Sequence, residues 1–210
     1  MIIIMFTGII TDIGTIKSRK QAHDKADIEF IIDCHYPPAS LSIGASIACD
    51  GICLTVTKAE ARENESWFAV ETSPETLAVT TANTWQAGRK LNLEQSLRLG
   101  DELGGHMVSG HVDGVVEIVD IRADAGSQCF TFALPPQFMP FIVPKGSVTL
   151  NGTSFTVNET TYADKAIFNV NIIAHTLTVT NWGAAQIGDK VNFEIDMFAR
   201  YVAHFTKQTM

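Results

Sequence analysis

The stretch SIACDGICLTV at residues 46–56 returns as SVTLNGTSFTV at 147–157. Three further blocks recur in the same order. MFTGIITDIG (5–14) matches MVSGHVDGVV (107–116), FAVETSPETLAVTT (68–81) matches FNVNIIAHTLTVTN (168–181), and AGRKLNLEQ (87–95) matches IGDKVNFEI (187–195). Ordered blocks at a spacing of about 100 residues mark a duplicated small domain, because solenoid repeats are far shorter. Whatever this chain folds into, it must do so twice. The break falls near LGDELGGH (99–106), where Gly100, Gly104 and Gly105 interrupt regular structure. The expected division is a first unit over residues 1–101, a second over 102–195 and a tail over 196–210.

Each unit reads as strands. EFIID, SIAC, ICLTVT, WFAVET and KLNLEQ in the first copy are short β-branched or aromatic runs bounded by turn residues. VVEIVDI, CFTFAL, SVTL, SFTVNET, AIFNVNII and KVNFEID follow in the second. With almost no helical period, this predicts an all-β chain with a small antiparallel barrel or sandwich per copy. Asp50-Gly51 and Asn151-Gly152 predict two-residue hairpin turns, whose positive φ angles these residues tolerate. The apolar opening MIIIMFTGII is too short to span a membrane and lacks the positive start of a signal peptide. It reads as a first β-strand, with Met5 as an alternative start. In the tail, Met197, Phe198, Tyr201, Val202 and Phe205 share one helical face behind an Asp196 N-cap. That face needs a cover, either its own barrel or the same helix of another subunit.

Composition narrows the function. Hydrophobic residues make up 46% and charged residues 18%, enough for a packed core. The net charge of −8 argues against nucleic acid and acidic membrane as partners. Cys34, Cys49, Cys53 and Cys129 form no CxxC pair and have no histidine cluster beside them. They read as free thiols in a reducing, cytoplasmic compartment, with no metal site. Dinucleotide, Walker, nucleophile-elbow and zincin motifs are absent from the sequence.

Chemistry is expected beside the two hairpins. Period-two alternation turns Ile52, Leu54 and Val56 to the core and Cys53 and Thr55 outward; Phe155 and Val157 match the first set, Ser154 and Thr156 the second. One such pair alone is an ordinary strand face. Two at matched positions point to paired sites. The copies then differ: Cys53 becomes Ser154, Ile9 becomes His111, and Glu75 becomes His175. A histidine suits proton transfer near neutrality. His106, in the glycine-rich connection, reads as structural. No third member of a hydrolytic triad accompanies Ser154.

MFTGII, SIACDGICLTVT, GGHMVSGHVDG, KGSVTLNGTSFTV and HTLTVTNWG…GDKVNFEIDMFARYV resemble the α-chain type of riboflavin synthase, from about Met5 to about Val202. The resemblance implies two six-stranded Greek-key barrels and a C-terminal helix that gathers subunits into a homotrimer. It implies a dismutation in which two molecules of 6,7-dimethyl-8-ribityllumazine exchange a four-carbon unit, giving riboflavin and 5-amino-6-ribitylaminouracil, with no cofactor or metal. Each barrel would hold one substrate, and the productive site would lie between the first barrel of one subunit and the second of a neighbour. A lumazine synthase shell is a further partner consistent with it.

Carried over by position, the first pocket would use Gly8, Ile9 and Ile10, then Cys53, Leu54 and Thr55, then Glu71, Thr72, Ser73, Pro74, Glu75 and Thr76. The second would use Gly110, His111 and Val112, then Lys145, Ser154, Phe155 and Thr156, then Asn171, Ile172, Ile173, Ala174, His175 and Thr176. His111 would transfer protons, Ser154 would assist activation of water or of the lumazine, Cys53 would line the partner pocket and Phe6 would be an aromatic wall. The chain departs from the family pattern at Gln95, Ala174 and Phe155, where Arg, Pro and Leu are usual. The alternatives are a non-catalytic lumazine- or flavin-binding protein on the same barrels, or a barrel module for oligomerisation or carbohydrate binding.

Overall fold

The structure, a computed structural model, describes residues 5–22, 26–60, 66–162 and 166–208. Strands β1 (Asp12–Gln21), β2 (Ile28–Cys34), β3 (Ser46–Cys49), β4 (Ile52–Glu60), β5 (Ser66–Thr72) and β6 (Lys90–Gln95) close in the order β1-β2-β5-β4-β3-β6. Strands β7 (Gly114–Asp124), β8 (Ser127–Ala133), β9 (Ser147–Leu150), β10 (Thr153–Thr161), β11 (Ile167–Ile173) and β12 (Lys190–Ile195) repeat that order as a second closed barrel. All pairings are antiparallel, and closure leaves no sheet edge to protect. The residues predicted a small antiparallel barrel or sandwich per copy, and the structure forms the two six-stranded barrels that the resemblance implies.

Each barrel has its own core, built on wholly buried aromatics. Trp85 packs edge-on to Phe30 in the first, and Trp182 packs edge-on to Phe130, Phe132 and Phe155 in the second. Phe155, in place of the family's usual leucine, therefore extends an aromatic cluster. The hairpin turns form as predicted, with φ of 44° and 80° at Asp50 and Gly51, and 43° and 78° at Asn151 and Gly152.

One expectation needs correction, and two features were not predicted. Of the opening, residues 1–4 lie outside the described residues, and residues 5–11 form no strand, only an isolated antiparallel bridge, Phe6 to Val108. Of its described apolar residues Phe6 is the buried one, packed with Ala48 and Val108. The first barrel instead begins with β1, whose polar sequence DIGTIKSRKQ hides its strand character. Helix is also present, as α1 (Pro74–Val79) and α2 (Ala174–Val179), each only six residues long and too short for a period to show. Helix α1 has Ser73 as N-cap, accepting from Thr76 N–H, and Pro74 at its first position; α2 starts after Ile173 with no side-chain cap. The family's missing proline at Ala174 thus falls at the start of the weaker helix.

The tail forms α3 (Met197–Gln208), with Asp196 Oδ1 accepting from Phe198 N–H at 2.8 Å as the predicted cap. Phe198, Tyr201, Val202 and Phe205 are 56–64% exposed, so the described chain leaves that face uncovered. Arg200 ties the helix down, donating to Asp113 Oδ2 at 2.9 Å.

The barrels meet in a near-symmetric seam. The outward faces of β6 and β12 carry Asn92 and Glu94, and Asn192 and Glu194, all buried. Asn92 donates to Asn151 O at 3.0 Å and accepts from Asn181 N–H at 2.8 Å. Asn192 donates to Asp50 O at 2.9 Å and accepts from Thr81 N–H at 2.7 Å. Each barrel thus satisfies the backbone of the other at its hairpin turn and just beyond its short helix, α1 or α2. Gly51 and Gly152 meet back to back: a Cβ on either would lie within 2.8 Å of the other's backbone nitrogen. Gln95, where the family carries arginine, donates to Ser40 O inside its own barrel.

Candidate active site

The period-two rule places the outward side chains of β4 and β10 correctly, but what covers them comes from the other repeat. Strand β5 pairs with β4 only from Val56 onward, and β11 with β10 only from Val157 onward. The starts of β4 and β10 therefore offer amides with no neighbouring strand on that side. Loops fill the gap. Gly110 O accepts from Cys53 N–H at 2.9 Å, and Gly8 O accepts from Ser154 N–H at 2.8 Å. Both glycines need positive φ, 77° at Gly8 and 76° at Gly110, and a Cβ on either would lie 2.6 Å from the Cβ of Ser154 or Cys53. The sequence-based grouping is thus crossed: Gly8 lies on Ser154 rather than Cys53, and Gly110 on Cys53 rather than Ser154.

Ser154 has a partner that Cys53 lacks. His106 Nδ1 is 2.7 Å from Ser154 Oγ, and its Nε2 is 3.0 Å from Thr149 Oγ1. Burial pushes the His106 imidazole below its ordinary value, with the Asp196 charge opposing, which favours the neutral ring. A neutral imidazole accepts at one nitrogen and donates at the other, so the two hydroxyls take opposite roles. His106 is the histidine on Ser154; His111, singled out in the sequence, is exposed at the tip of its loop. Nothing in the local sequence could have shown this, because the loop reaches β10 only in the folded chain. Cys53, half-buried, has its thiol raised by burial, with a hydrogen bond to Ser46 pulling the other way.

Beyond each half-buried position the barrel wall opens. Thr55 and Glu71 flank the Val56–Val70 pair and are exposed; Thr156 and Asn171 flank the Val157–Val170 pair in the same way. Ser73, Pro74, Glu75, Ile173, Ala174 and His175 extend these shelves to the exposed starts of α1 and α2, where Thr76 and Thr176 are half-buried. Asn171 donates to Asp124 at 2.7 Å and accepts from Asn158 at 3.1 Å. Ile9 is exposed and Ile10 and Val112 are half-buried. Lys145 is exposed and held at φ 69°, its N–H bonded to Val157 O at 2.7 Å.

Five expected residues lie elsewhere. Leu54, Phe155 and Ile172 point into the cores, and Thr72 is buried with its hydroxyl on Ile28 O. Phe6, expected as an aromatic wall, is 0% exposed and packs with Ala48 and Val108 in the seam. Among the described residues no group of three or more His, Cys, Asp or Glu side chains is placed to hold a metal ion, and no helix is long and apolar enough to cross a membrane.

Comparison with known proteins follows the same duplication. The lumazine binding domain family matches twice, over residues 7–96 and 109–196. The riboflavin synthase of Brucella abortus (strain 2308) is 48% identical over 204 residues, covering 97% of this chain and 98% of its own. That of Bacillus subtilis (strain 168) is 38% identical over 96% of this chain and 89% of its own. The crystal structure of LumP complexed with 6,7-dimethyl-8-(1′-D-ribityl) lumazine shares the fold, with a TM-score of 0.73 at 23% identity over 90% of this chain and 98% of that one. With both barrels matched and nearly the whole length aligned to such enzymes, the chain belongs to the riboflavin synthase family of transferases.

Proposed function

We propose that this chain converts two molecules of 6,7-dimethyl-8-ribityllumazine into riboflavin and 5-amino-6-ribitylaminouracil, the last step of riboflavin biosynthesis. Four carbons leave one lumazine and join the other, so the two products together contain the atoms of the two substrates. The observation that carries this reading is that both halves match a lumazine binding domain while presenting unlike groups, Cys53 and Ser154, at the same place. Two like pockets suit two copies of one molecule; unlike groups give them separate donor and acceptor roles. Holding both molecules in register supplies up to roughly 7–11 kcal/mol in favourable cases. The hydroxyl-rich ribityl chain suits the exposed Thr55, Glu71, Thr156 and Asn171.

In this reading the reaction starts with loss of a proton from the lumazine 7-methyl, which the ring itself acidifies. No strong protein base is then required. Ser154, fixed by His106, offers a hydrogen bond to substrate or water, and exposed His111 shuttles protons. The shelves are open in the single chain, so the productive site is closed by a neighbour, first barrel against second barrel. The bare apolar face of α3 supports a homotrimer built on that helix. Four free thiols support a cytoplasmic setting, where a lumazine synthase shell is a further partner.

The test is to mix purified protein with the lumazine and follow riboflavin absorbance. Turnover is expected. Tight binding without turnover would make it a carrier of lumazine or flavin, and absence of binding would leave a bare barrel module. Replacing Ser154 by Ala is expected to slow turnover about tenfold, the worth of a hydrogen bond of about 1–1.5 kcal/mol. Undiminished turnover would remove Ser154 from the mechanism.

A further inference from the structure

The two seam carboxylates are held in a way that exceeds what packing requires. Glu94 Oε1 accepts from Thr7 N–H at 2.7 Å and from the Thr7 hydroxyl at 2.7 Å, and its Oε2 accepts from Gly8 N–H at 2.9 Å. Glu194 repeats this with Ser109 N–H at 2.8 Å, the Ser109 hydroxyl at 2.7 Å and Gly110 N–H at 2.9 Å. The same hydroxyls accept in turn from the next residues, Thr7 from Ile9 N–H at 3.2 Å and Ser109 from His111 N–H at 3.3 Å. Each glutamate therefore fixes three consecutive loop residues of its own repeat.

The loops do not stay with their own repeat. The Gly8 carbonyl closes on Ser154 N–H, and the Gly110 carbonyl on Cys53 N–H. These are the amides that no neighbouring strand satisfies. A loop held by a buried carboxylate thus stands in for the missing strand, at the one residue of each barrel where the repeats carry different chemistry.

We propose that Glu94 and Glu194 are positioning residues wired crosswise: Glu94, in the first repeat, sets Ser154 of the second, and Glu194, in the second, sets Cys53 of the first. The functional consequence rests on the dismutase reading; the wiring does not. An ionised carboxylate only accepts, and three donors converge on each one. A glutamine turns an NH2 group toward at least one of those donors, so Glu→Gln keeps the shape and removes the hold.

Cys53 supplies a readout independent of turnover. It is the half-buried thiol; Cys34, Cys49 and Cys129 are buried. Its alkylation by iodoacetamide at fixed pH, located by mass spectrometry, reports how firmly the start of β4 is held. Glu194→Gln is expected to speed alkylation of Cys53 about fivefold or more, as expected from losing one or two hydrogen bonds. Glu94→Gln is expected to leave that rate within about twofold of the parent while lowering turnover through Ser154. Equal effects of the two variants on Cys53, or no effect of Glu194→Gln, would overturn the proposal. Should either glutamine variant fail to fold, Ser109→Ala and Thr7→Ala remove one donor each and must show the same asymmetry at Cys53. If the wiring holds but the protein makes no riboflavin, the proposed reaction fails and the crosswise coupling stands.

Discussion

The first barrel keeps a thiol where the second keeps a hydroxyl, and the neighbours of the two differ more than their frames do. Both frames use a glycine loop with positive φ, a buried glutamate and a seam asparagine. Around Ser154 the second barrel adds His106 and Thr149; around Cys53 the first offers Ser46. The same contrast runs through the turns. Asp50 is wholly buried, with Arg89 3.5 Å away, while its counterpart Asn151 is neutral. Asp12 caps the start of β1 through His35, whereas Asp113 at the start of β7 holds Ile195 N–H and the α3 residue Arg200. Backbone demands have been kept equal in the two copies while side-chain chemistry has been allowed to diverge.

The largest effects should fall where the frames are most alike. Gly8→Ala and Gly110→Ala each combine backbone strain with a clash against a strand, and each is expected to cost about 2–4 kcal/mol in urea unfolding. Equal losses would support a symmetric seam. A tolerated substitution at one position alone would break the comparison.

Asp50 gives the next effect, with the opposite sign. Burial raises its carboxyl from the ordinary 3.8 to about 6, against the pull of Arg89, Asn92 and Asn181. The folded chain therefore holds this proton more tightly than the unfolded chain does. The corresponding stability is fully present below about pH 4 and is lost as pH rises through about 6, on the order of 2–3 kcal/mol. Asp50→Asn imports the second barrel's own solution and should flatten stability between about pH 4 and 6.5, measured by denaturant unfolding across pH. An unchanged slope would show that Arg89 already neutralises the site.

The smallest effect concerns the helix. The Arg200–Asp113 pair is partly exposed, so Arg200→Ala should lower stability by about 1 kcal/mol or less. Its sharper readout is solution mass. If the protein forms the proposed homotrimer, its loss with barrels intact would show that this pair aims α3 at a second copy.

Much of the frame could be read from the sequence because it is local. Alternation along β4 and β10 separated core from outward residues, and Asp50-Gly51 and Asn151-Gly152 announced their turns. The seam was not legible. In KLNLEQ the polar Asn92 and Glu94 look like a solvated strand face, yet both are buried, because alternation separates two faces without saying what covers the second. The site was half legible for the same reason. Cys53, Ser154 and the shelf threonines follow from the strand pattern, but Gly8 on Ser154 is a contact between repeats and His106 on Ser154 a contact across 48 residues of the second, and no local signal encodes either.

The back-to-back turns at Gly51 and Gly152 carry a lesson about ancestry. Gene duplication ordinarily frees one copy to drift while the other keeps working. Here each turn apex occupies the space into which the other would grow, so neither glycine can acquire a side chain unless the opposite apex withdraws. At that point the two halves share a single history of substitution, however far their pockets have parted.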